Sequence, residues 1–103
     1  MKTLRINTPG AFSAPRVSMQ DTELAGTFIP KGTVVFLNMY ELHHNPTVWK
    51  DPNTFNPERF ADGGEADQAG NNTWLPFLGG PRQCLAMNFS LVLLRVFLVM
   101  FCK

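Results

Sequence analysis

The sequence predicts a mainly α-helical chain that also carries a small antiparallel β unit. Residues 87–101 have the length of one long helix, and within them residues 91–101 are apolar apart from Arg95. Residues 16–37 contain short segments rich in β-branched and aromatic side chains, separated by glycine and proline. Residues 51–60 combine prolines with closely spaced phenylalanines, so this part of the 103-residue chain is expected to be ordered but irregular.

The β unit is predicted from alternation and turn residues. Residues 16–20 alternate polar and apolar side chains, Gly26 interrupts the pattern, and residues 30–32 (Pro-Lys-Gly) form a turn before the strand-like segment 33–37. So few short strands are not stable on their own in water. The unit is therefore expected to belong to a larger structure.

The C-terminal apolar run is too short to cross a membrane. Residues 91–101 are interrupted by Arg95, whereas a bilayer-spanning helix needs about 20 apolar residues. A helix that is apolar on all sides is typical of the interior of a large protein, so we expect this one to be buried in a larger protein. In the 103-residue chain alone we expect it to leave a large apolar patch exposed and to promote aggregation. The chain shows no signal or anchor segment, and membrane association is expected only through parts outside this sequence.

Composition excludes some classes of function. The formal net charge is +1 and 17% of residues are charged, with no basic stripe, so nucleic acid is not an expected partner. Two cysteines do not suggest a disulfide framework. Residues 61–72 lack large apolar side chains and are expected to form a mobile surface loop.

Cys84 lies in the most informative segment, residues 77–86. A Gly-Gly-Pro bend precedes it, Arg82 adds a fixed positive charge, and the long helix follows, so the surroundings favour a thiolate ligand. The alternative is a small buried hydrophobic residue, which is our expectation for Cys102. A nucleophilic pair of Cys84 with His43 or His44 also stays open at this stage.

The pattern Phe77-x-x-Gly80-x-Arg82-x-Cys84 resembles the haem-ligand loop of the cytochrome P-450 (haem-thiolate monooxygenase) family. The resemblance implies that Cys84 is the proximal axial ligand of the iron of haem b. It also implies that Arg82 pairs with a haem propionate and that Phe77 packs beside the sulfur. One departure is Ala86, at the haem-facing position where the family usually has glycine.

Upstream segments are similar to the same family. The segment 29–49 resembles the strand, turn and short helix that precede the ligand loop, which makes Arg16 a second candidate for a propionate contact; an exposed strand-edge charge is equally consistent. Residues 57–60 (Pro-Glu-Arg-Phe) are similar to the family's meander, whose Arg59 is implied to join Arg5 in a structural network. Lys2 occupies the position of the expected glutamate, so the two arginines are expected to lack a carboxylate.

The resemblance covers nearly the whole chain and implies that residues 1–103 are a C-terminal fragment of one cytochrome P-450 domain. Its expected parts are the tail of a Glu-x-x-Arg helix (1–9), the β unit (16–37), the meander (51–60), the ligand loop (77–86) and a helix (87–101).

By the same resemblance, the parent enzyme inserts one oxygen atom from dioxygen into a small lipophilic organic substrate. Its electrons come from NADPH through a reductase that docks on the proximal face, and its location is the cytosolic face of the endoplasmic reticulum membrane. The alternative is a non-catalytic remnant that cannot hold haem stably.

Overall fold

The computed structural model describes residues 3–70 and 72–102, which form four α-helices, four short strands and two 3₁₀ helices. In chain order these are α1 (Thr3–Ile6), β1 (Arg16–Val17), β2 (Thr22–Leu24), β3 (Thr27–Ile29), β4 (Val34–Val35), α2 (Met39–His44), a 3₁₀ helix (Pro57–Phe60), α3 (Glu65–Gln68), a second 3₁₀ helix (Gly80–Arg82) and α4 (Met87–Phe101). The expected fold class, mainly α with a small antiparallel β unit, is confirmed.

The strands pair as two separate antiparallel ribbons. β1 pairs with β4, with Arg16 opposite Val35, and β2 pairs with β3, with Thr22 opposite Ile29. The β2–β3 hairpin turns through Ala25 and Gly26, both at positive φ (48° and 79°). Positive φ at both central residues matches the right-handed twist of the strands, which is why a glycine follows here.

Helix α2 places two side chains in the interior. Its N-cap is Asn38, whose side-chain oxygen accepts a 3.1 Å hydrogen bond from the Glu41 N–H. The helix ends before Pro46, since the residue before a proline avoids helical backbone. Met39 and His43 are four residues apart on one face, and both are buried.

The interior of the described chain is small and largely polar. Met39 and Trp49 are its only buried apolar side chains, 5% and 0% exposed. Beside them lie three buried polar side chains, Arg5, His43 and Arg59. A buried cation is costly unless its donors are hydrogen-bonded. The terminal guanidinium nitrogens of both arginines have acceptors, whereas the buried Nε of Arg59 has no partner among the described residues.

The exposure of α4 agrees with expectation for this chain alone, and the exposure of Cys102 does not. No residue of α4 is buried, and Cys102, expected to be inert core, is exposed. Among the described residues, no other element packs on the apolar surface of α4, so its side chains contact solvent. Within the described ranges, no helix is long and apolar enough to cross a membrane.

The surface loop expected over residues 61–72 contains a helix. Its described residues are exposed or half-buried, but α3 (Glu65–Gln68) forms there and packs against the 3₁₀ helix of the meander. The low content of large apolar residues indicated surface exposure and gave no information about this local helix.

Candidate functional site

The loop that carries Cys84 is bent by two residues with positive φ. These are Leu78 (φ 59°) and Gly80 (φ 67°), whereas Gly79 is extended at φ −148°. The expectation that both glycines supply the bend is thus correct for Gly80 only. A non-glycine residue in this region is uncommon and carries a conformational cost, so the surrounding contacts must hold Leu78 in place.

A backbone hydrogen bond closes the loop. The Cys84 N–H donates to the Phe77 carbonyl over 2.8 Å, and inside this closure the Gln83 N–H donates to the Gly80 carbonyl over 3.1 Å. Phe77 and Cys84 are therefore held together by main chain. The Cys84 thiol is unoxidised and exposed, and it lies just before α4, whose N-cap is Ala86.

Arg16 and Arg82 line the same cavity. The cavity has a volume of about 440 Å³, and its wall is formed by β1, the segment before it and the ligand loop: Ser13, Ala14, Pro15, Arg16, Val17, Leu78 and Arg82. A cavity lined by two arginines is suited to an anion with separated oxygens, because a guanidinium presents a planar fork of donors. The structure thus brings together two arginines that lie 66 positions apart.

Arg5 is held by main-chain oxygens. It donates to the carbonyls of His43 and Pro52, each over 2.7 Å, and its guanidinium lies 5.3 Å from the centre of the Trp49 ring. Burial lowers the pKa of Arg5, the positive charge of Arg59 lowers it further, and Glu65 partly opposes both. Arginine nevertheless stays charged, since its ordinary pKa is far above neutral pH.

Arg59 has a carboxylate partner, which the sequence did not lead us to expect. It forms a salt bridge with Glu65 of α3 and also donates to the Asp51 carbonyl over 2.9 Å. Glu58, its neighbour in sequence, is exposed and is not its partner. The expected lack of a carboxylate near the two arginines is therefore wrong; Lys2, on which that expectation depended, lies outside the described residues.

Glu65 is an acceptor that sequence reasoning missed. Burial tends to raise its pKa, but the Lys50 N–H, the Arg59 side chain and the charges of Arg59 and Arg5 together hold the pKa below its usual range. The one sequence feature that could have indicated this contact is Gly64, directly before Glu65. A Cβ at Gly64 would lie 2.7 Å from the Arg59 carbonyl oxygen, so only glycine lets α3 approach the meander this closely.

His43 was considered only as a partner for Cys84, and its observed contacts are different. It is fully buried, with Nδ1 2.9 Å from Thr8 Oγ1 and Nε2 accepting a 3.0 Å hydrogen bond from the Leu75 N–H. Burial lowers its pKa to about 4, with further contributions from the charges of His44 and Arg5. His44 stacks on Tyr40. Among the described residues neither histidine forms a hydrogen bond with Cys84, so a Cys–His nucleophilic pair has no support.

Comparison with known proteins identifies the family. Residues 3–102 match the family model described as Cytochrome P450. The chain belongs to the cytochrome P450 family. Among curated relatives, cytochrome P450 3A18 of Rattus norvegicus is 46% identical over 90 residues, which are 85% of this chain and 18% of that protein. Cytochrome P450 3A7 of Homo sapiens is 43% identical over 98 residues, 95% of this chain and 19% of that protein.

Solved structures of the family share this fold. A cyanobacterial P450, CYP120A1 with bound retinoic acid, has a TM-score of 0.88 and 32% identity, covering 93% of this chain and 22% of that one. A zebra fish P450 with abiraterone has a TM-score of 0.76 and 38% identity, covering 94% of this chain and 22% of that one. The chain thus spans about a fifth of the length of these relatives.

The resemblance to the cytochrome P450 family is confirmed. P450 proteins are haem-dependent monooxygenases, and their cofactor is haem b. The residues present here fit part of such a cofactor. Cys84 presents an exposed thiol, and Arg16 and Arg82 present two cationic forks at one cavity beside its loop.

Proposed function

We propose that this chain is the proximal haem-binding segment of a P450 monooxygenase and that Cys84 is the thiolate ligand of the haem iron. The observation that carries the proposal is the ligand loop. Its ends are joined by the 2.8 Å bond from the Cys84 N–H to the Phe77 carbonyl, and this leaves the thiol exposed. When bound, the haem would supply the iron centre at which dioxygen is reduced and one oxygen atom is transferred.

Arg82 and Arg16 would hold the haem propionates. Both line the cavity beside the loop, and a guanidinium pairs with a carboxylate through two parallel hydrogen bonds. Phe77 would limit solvent access to the sulfur from its half-buried position, and Ala86 would place a methyl group where the family usually has none. These residues would bind and orient the cofactor.

The complete reaction would be insertion of one oxygen atom from dioxygen into a small lipophilic organic substrate. Two of the matched structures are a cyanobacterial P450 with retinoic acid and a zebra fish P450 with progesterone, and both small molecules are lipophilic, as proposed for the substrate here. A reductase would dock on the proximal face near Cys84 and deliver electrons that come from NADPH. For the whole protein we propose the cytosolic face of the endoplasmic reticulum membrane, in keeping with its similarity to 3A-type relatives.

The second candidate is that this chain, on its own, is a non-catalytic remnant that does not hold haem stably. Its support is the exposure of α4: Phe97, Leu98 and Met100 are 54%, 57% and 72% exposed. Apolar surface of this extent promotes association in water. We therefore expect the purified chain to bind haem weakly and without selectivity, and to show no turnover with a reductase.

The proposal is tested in a chimera in which this chain replaces the matching segment of the rat relative. Cys84→Ala should abolish the red-shifted Soret band of the reduced carbon monoxide complex, because it removes the thiolate ligand. Cys102→Ala is the matched control and should keep the band, since Cys102 lies at the far end of α4. A Cys84→Ala chimera that retains the band would refute the ligand assignment.

Arginine variants of the same chimera test the propionate role. Arg82→Ala should speed haem loss and leave the thiolate band unchanged in the haem that remains, because it removes a propionate partner and leaves the sulfur in place. Arg95→Ala, which removes an exposed arginine of α4 remote in sequence from the cavity residues, should not change haem loss. Equal haem retention in the Arg82→Ala and Arg95→Ala chimeras would contradict the propionate role.

A further inference from the structure

His43 connects three segments of the chain that are distant in sequence. Its Nδ1 lies 2.9 Å from Thr8 Oγ1, its Nε2 accepts a 3.0 Å hydrogen bond from the Leu75 N–H, and its carbonyl accepts one from Arg5 over 2.7 Å. The side chain is 0% exposed, so water cannot replace these partners. Because both ring nitrogens have hydrogen-bond partners and the ring is buried, the imidazole is held in a single orientation.

The contacts also determine the position of the imidazole proton. The Thr8 hydroxyl hydrogen is donated to the Arg5 carbonyl over 3.0 Å, so Thr8 Oγ1 acts as an acceptor toward His43. Nε2 receives the Leu75 N–H and must therefore carry a lone pair. The ring is neutral and protonated on Nδ1, and its acceptor atom points at the main chain that leads to the ligand loop.

Leu75 begins the hydrogen-bonded path to Cys84. Its carbonyl accepts the Leu78 N–H over 3.1 Å, which supports the residue that has positive φ, and Phe77 accepts the Cys84 N–H over 2.8 Å. The Leu75 side chain also lies against the bend, since its Cδ2 would be 3.5 Å from a Cβ on Gly79. Fixing the Leu75 amide therefore fixes the base from which the loop turns.

We propose that His43 is a positioning residue for the ligand loop, acting through the hydrogen bond that its Nε2 accepts from the Leu75 amide. The inference rests on the proposed function only in the part that names Cys84 as the ligand. The competing explanation is that the imidazole merely fills space between α1, α2 and the loop. The positioning role requires a hydrogen-bond acceptor at the Nε2 position. The space-filling role requires only a side chain of similar volume.

Protonation gives a further distinction. Burial is the largest cause that disfavours a second proton on the ring, and the charges of His44 on its own helix and of Arg5 on α1 add to it. Leu75 faces the ring with a neutral amide. Protonation of Nε2 replaces its lone pair with a donor and repels the Leu75 N–H. The hydrogen bond from the Leu75 N–H to His43 Nε2 should therefore be present at neutral pH. It should be lost as the pH falls through about 4, the pKa of His43.

Amide hydrogen exchange in the whole 103-residue chain without haem tests the inference. His43→Gln places a carbonyl oxygen near the Nε2 position, His43→Asn places its amide near Nδ1, and His44→Gln is the matched control on the same helix. We expect the protection of the Leu75 amide to be kept in His43→Gln and His44→Gln and reduced about tenfold or more in His43→Asn, which leaves the amide without its partner. Equal protection in the two His43 variants would overturn the inference.

A nitrogen–nitrogen coupling across the hydrogen bond provides a direct readout in the unsubstituted chain. In a chain labelled with nitrogen-15, we expect this coupling between Leu75 N and His43 Nε2 at neutral pH. The coupling should disappear near pH 4. An Nε2 that carries a proton at neutral pH would overturn the assignment. In the chimera, His43→Asn should lower the fraction of haem with the thiolate-type band, and His43→Gln should restore it.

Failure of the inference and of the proposed function are separable. Loss of Leu75 protection in His43→Asn with a thiolate band retained in Cys84→Ala would support the positioning of the loop and refute Cys84 as the ligand. Loss of the band in Cys84→Ala with unchanged Leu75 protection in His43→Asn would support Cys84 as the ligand and refute the positioning role of His43.

Discussion

The polar interior and the ligand loop with α4 are opposite kinds of structure in one short chain. In the interior, Arg5, His43 and Arg59 are 1%, 0% and 6% exposed, and each forms hydrogen bonds with main-chain, hydroxyl or carboxylate groups, although Nε of Arg59 has no partner among the described residues. In the ligand loop and α4, apolar side chains face solvent, and Leu85 is 99% exposed. The polar groups are inside and many apolar groups are outside, which reverses the usual arrangement.

This contrast indicates which contacts the chain supplies for itself. The interior needs only residues of this chain, since carbonyls from the meander and α2 surround the two cations. The ligand loop and α4 expose apolar surface that no described part of this chain covers, so a cofactor or another protein segment is needed to cover it. Substitutions in the interior should therefore change folding, and substitutions in the ligand loop should change binding and leave folding almost unchanged.

The largest effect is expected for Arg5→Met. Removal of the guanidinium leaves the carbonyls of His43 and Pro52 without their donor, and each buried orphan costs about 1–3 kcal/mol. The total loss of unfolding free energy should be about 3–5 kcal/mol, measured by denaturation followed by circular dichroism and tryptophan fluorescence. Arg95→Met, on the exposed face of α4, is the control and should change stability little. Similar losses in both variants would contradict the contrast between the regions.

Acidification should produce the next largest effect, through His43. The pKa is about 4 in the folded chain and near 6.5 when the residue is exposed, so the unfolded chain binds more protons between these values. The contribution of His43 is complete above about pH 6.5 and is lost as the pH falls to about 4, which amounts to roughly 3 kcal/mol. His43→Gln should flatten this part of the stability profile. A profile with the same slope in the variant would show that other groups titrate.

Gly64→Ala tests the approach of α3 to the meander. Its Cβ would lie 2.7–2.8 Å from three carbonyl oxygens, so the helix must move away and the Glu65–Arg59 salt bridge must loosen. We expect a destabilisation of about 1–3 kcal/mol by denaturation. Gly10→Ala is the matched control, since its nearest neighbour is the end of the flexible Met39 side chain at 3.6 Å. Equal stability of the two variants would mean that α3 does not pack closely here.

The smallest effect on stability is expected at the site itself. Cys84→Ser alters an exposed thiol that has no structural partner among the described residues, so the free energy of unfolding should change by less than about 0.5 kcal/mol. The same substitution should remove the thiolate-type spectrum in the chimera. A large loss of stability in the haem-free chain would show that Cys84 has a structural role that the present contacts do not reveal.

The sequence predicted best where the physical signal is local. The apolar run 87–101, the turn residues of the β unit and the Phe77-to-Cys84 motif each depend on neighbours within a few positions, and the mixed fold and the family are confirmed. The roles of the candidate site residues remain proposals. Their placement is informative all the same, because Arg16 and Arg82 line one cavity.

The failures involve contacts between residues that are distant in sequence. Glu65 becomes the partner of Arg59 only because Gly64 allows close approach, and His43 meets Leu75 across 32 positions. The bend before Cys84 was expected to depend on Gly79 and Gly80, but Leu78 has positive φ and Gly79 is extended. Glycine content alone does not show which residue of the loop turns. Such contacts follow from packing and leave no periodic pattern in the sequence.

The hydrogen bonds around the two buried arginines have a consequence for how this sequence can change over time. Main-chain oxygens of Pro52 and Thr54 accept from Arg5, and the Thr54 carbonyl is also within 3.5 Å of an Arg59 nitrogen. Every amino acid carries that oxygen, so the side chain at position 54 can drift without removing the acceptor. Inserting or deleting one residue there moves the carbonyl and breaks both contacts. At positions 52 and 54, the length of the chain is therefore under stronger constraint than the identity of the residues.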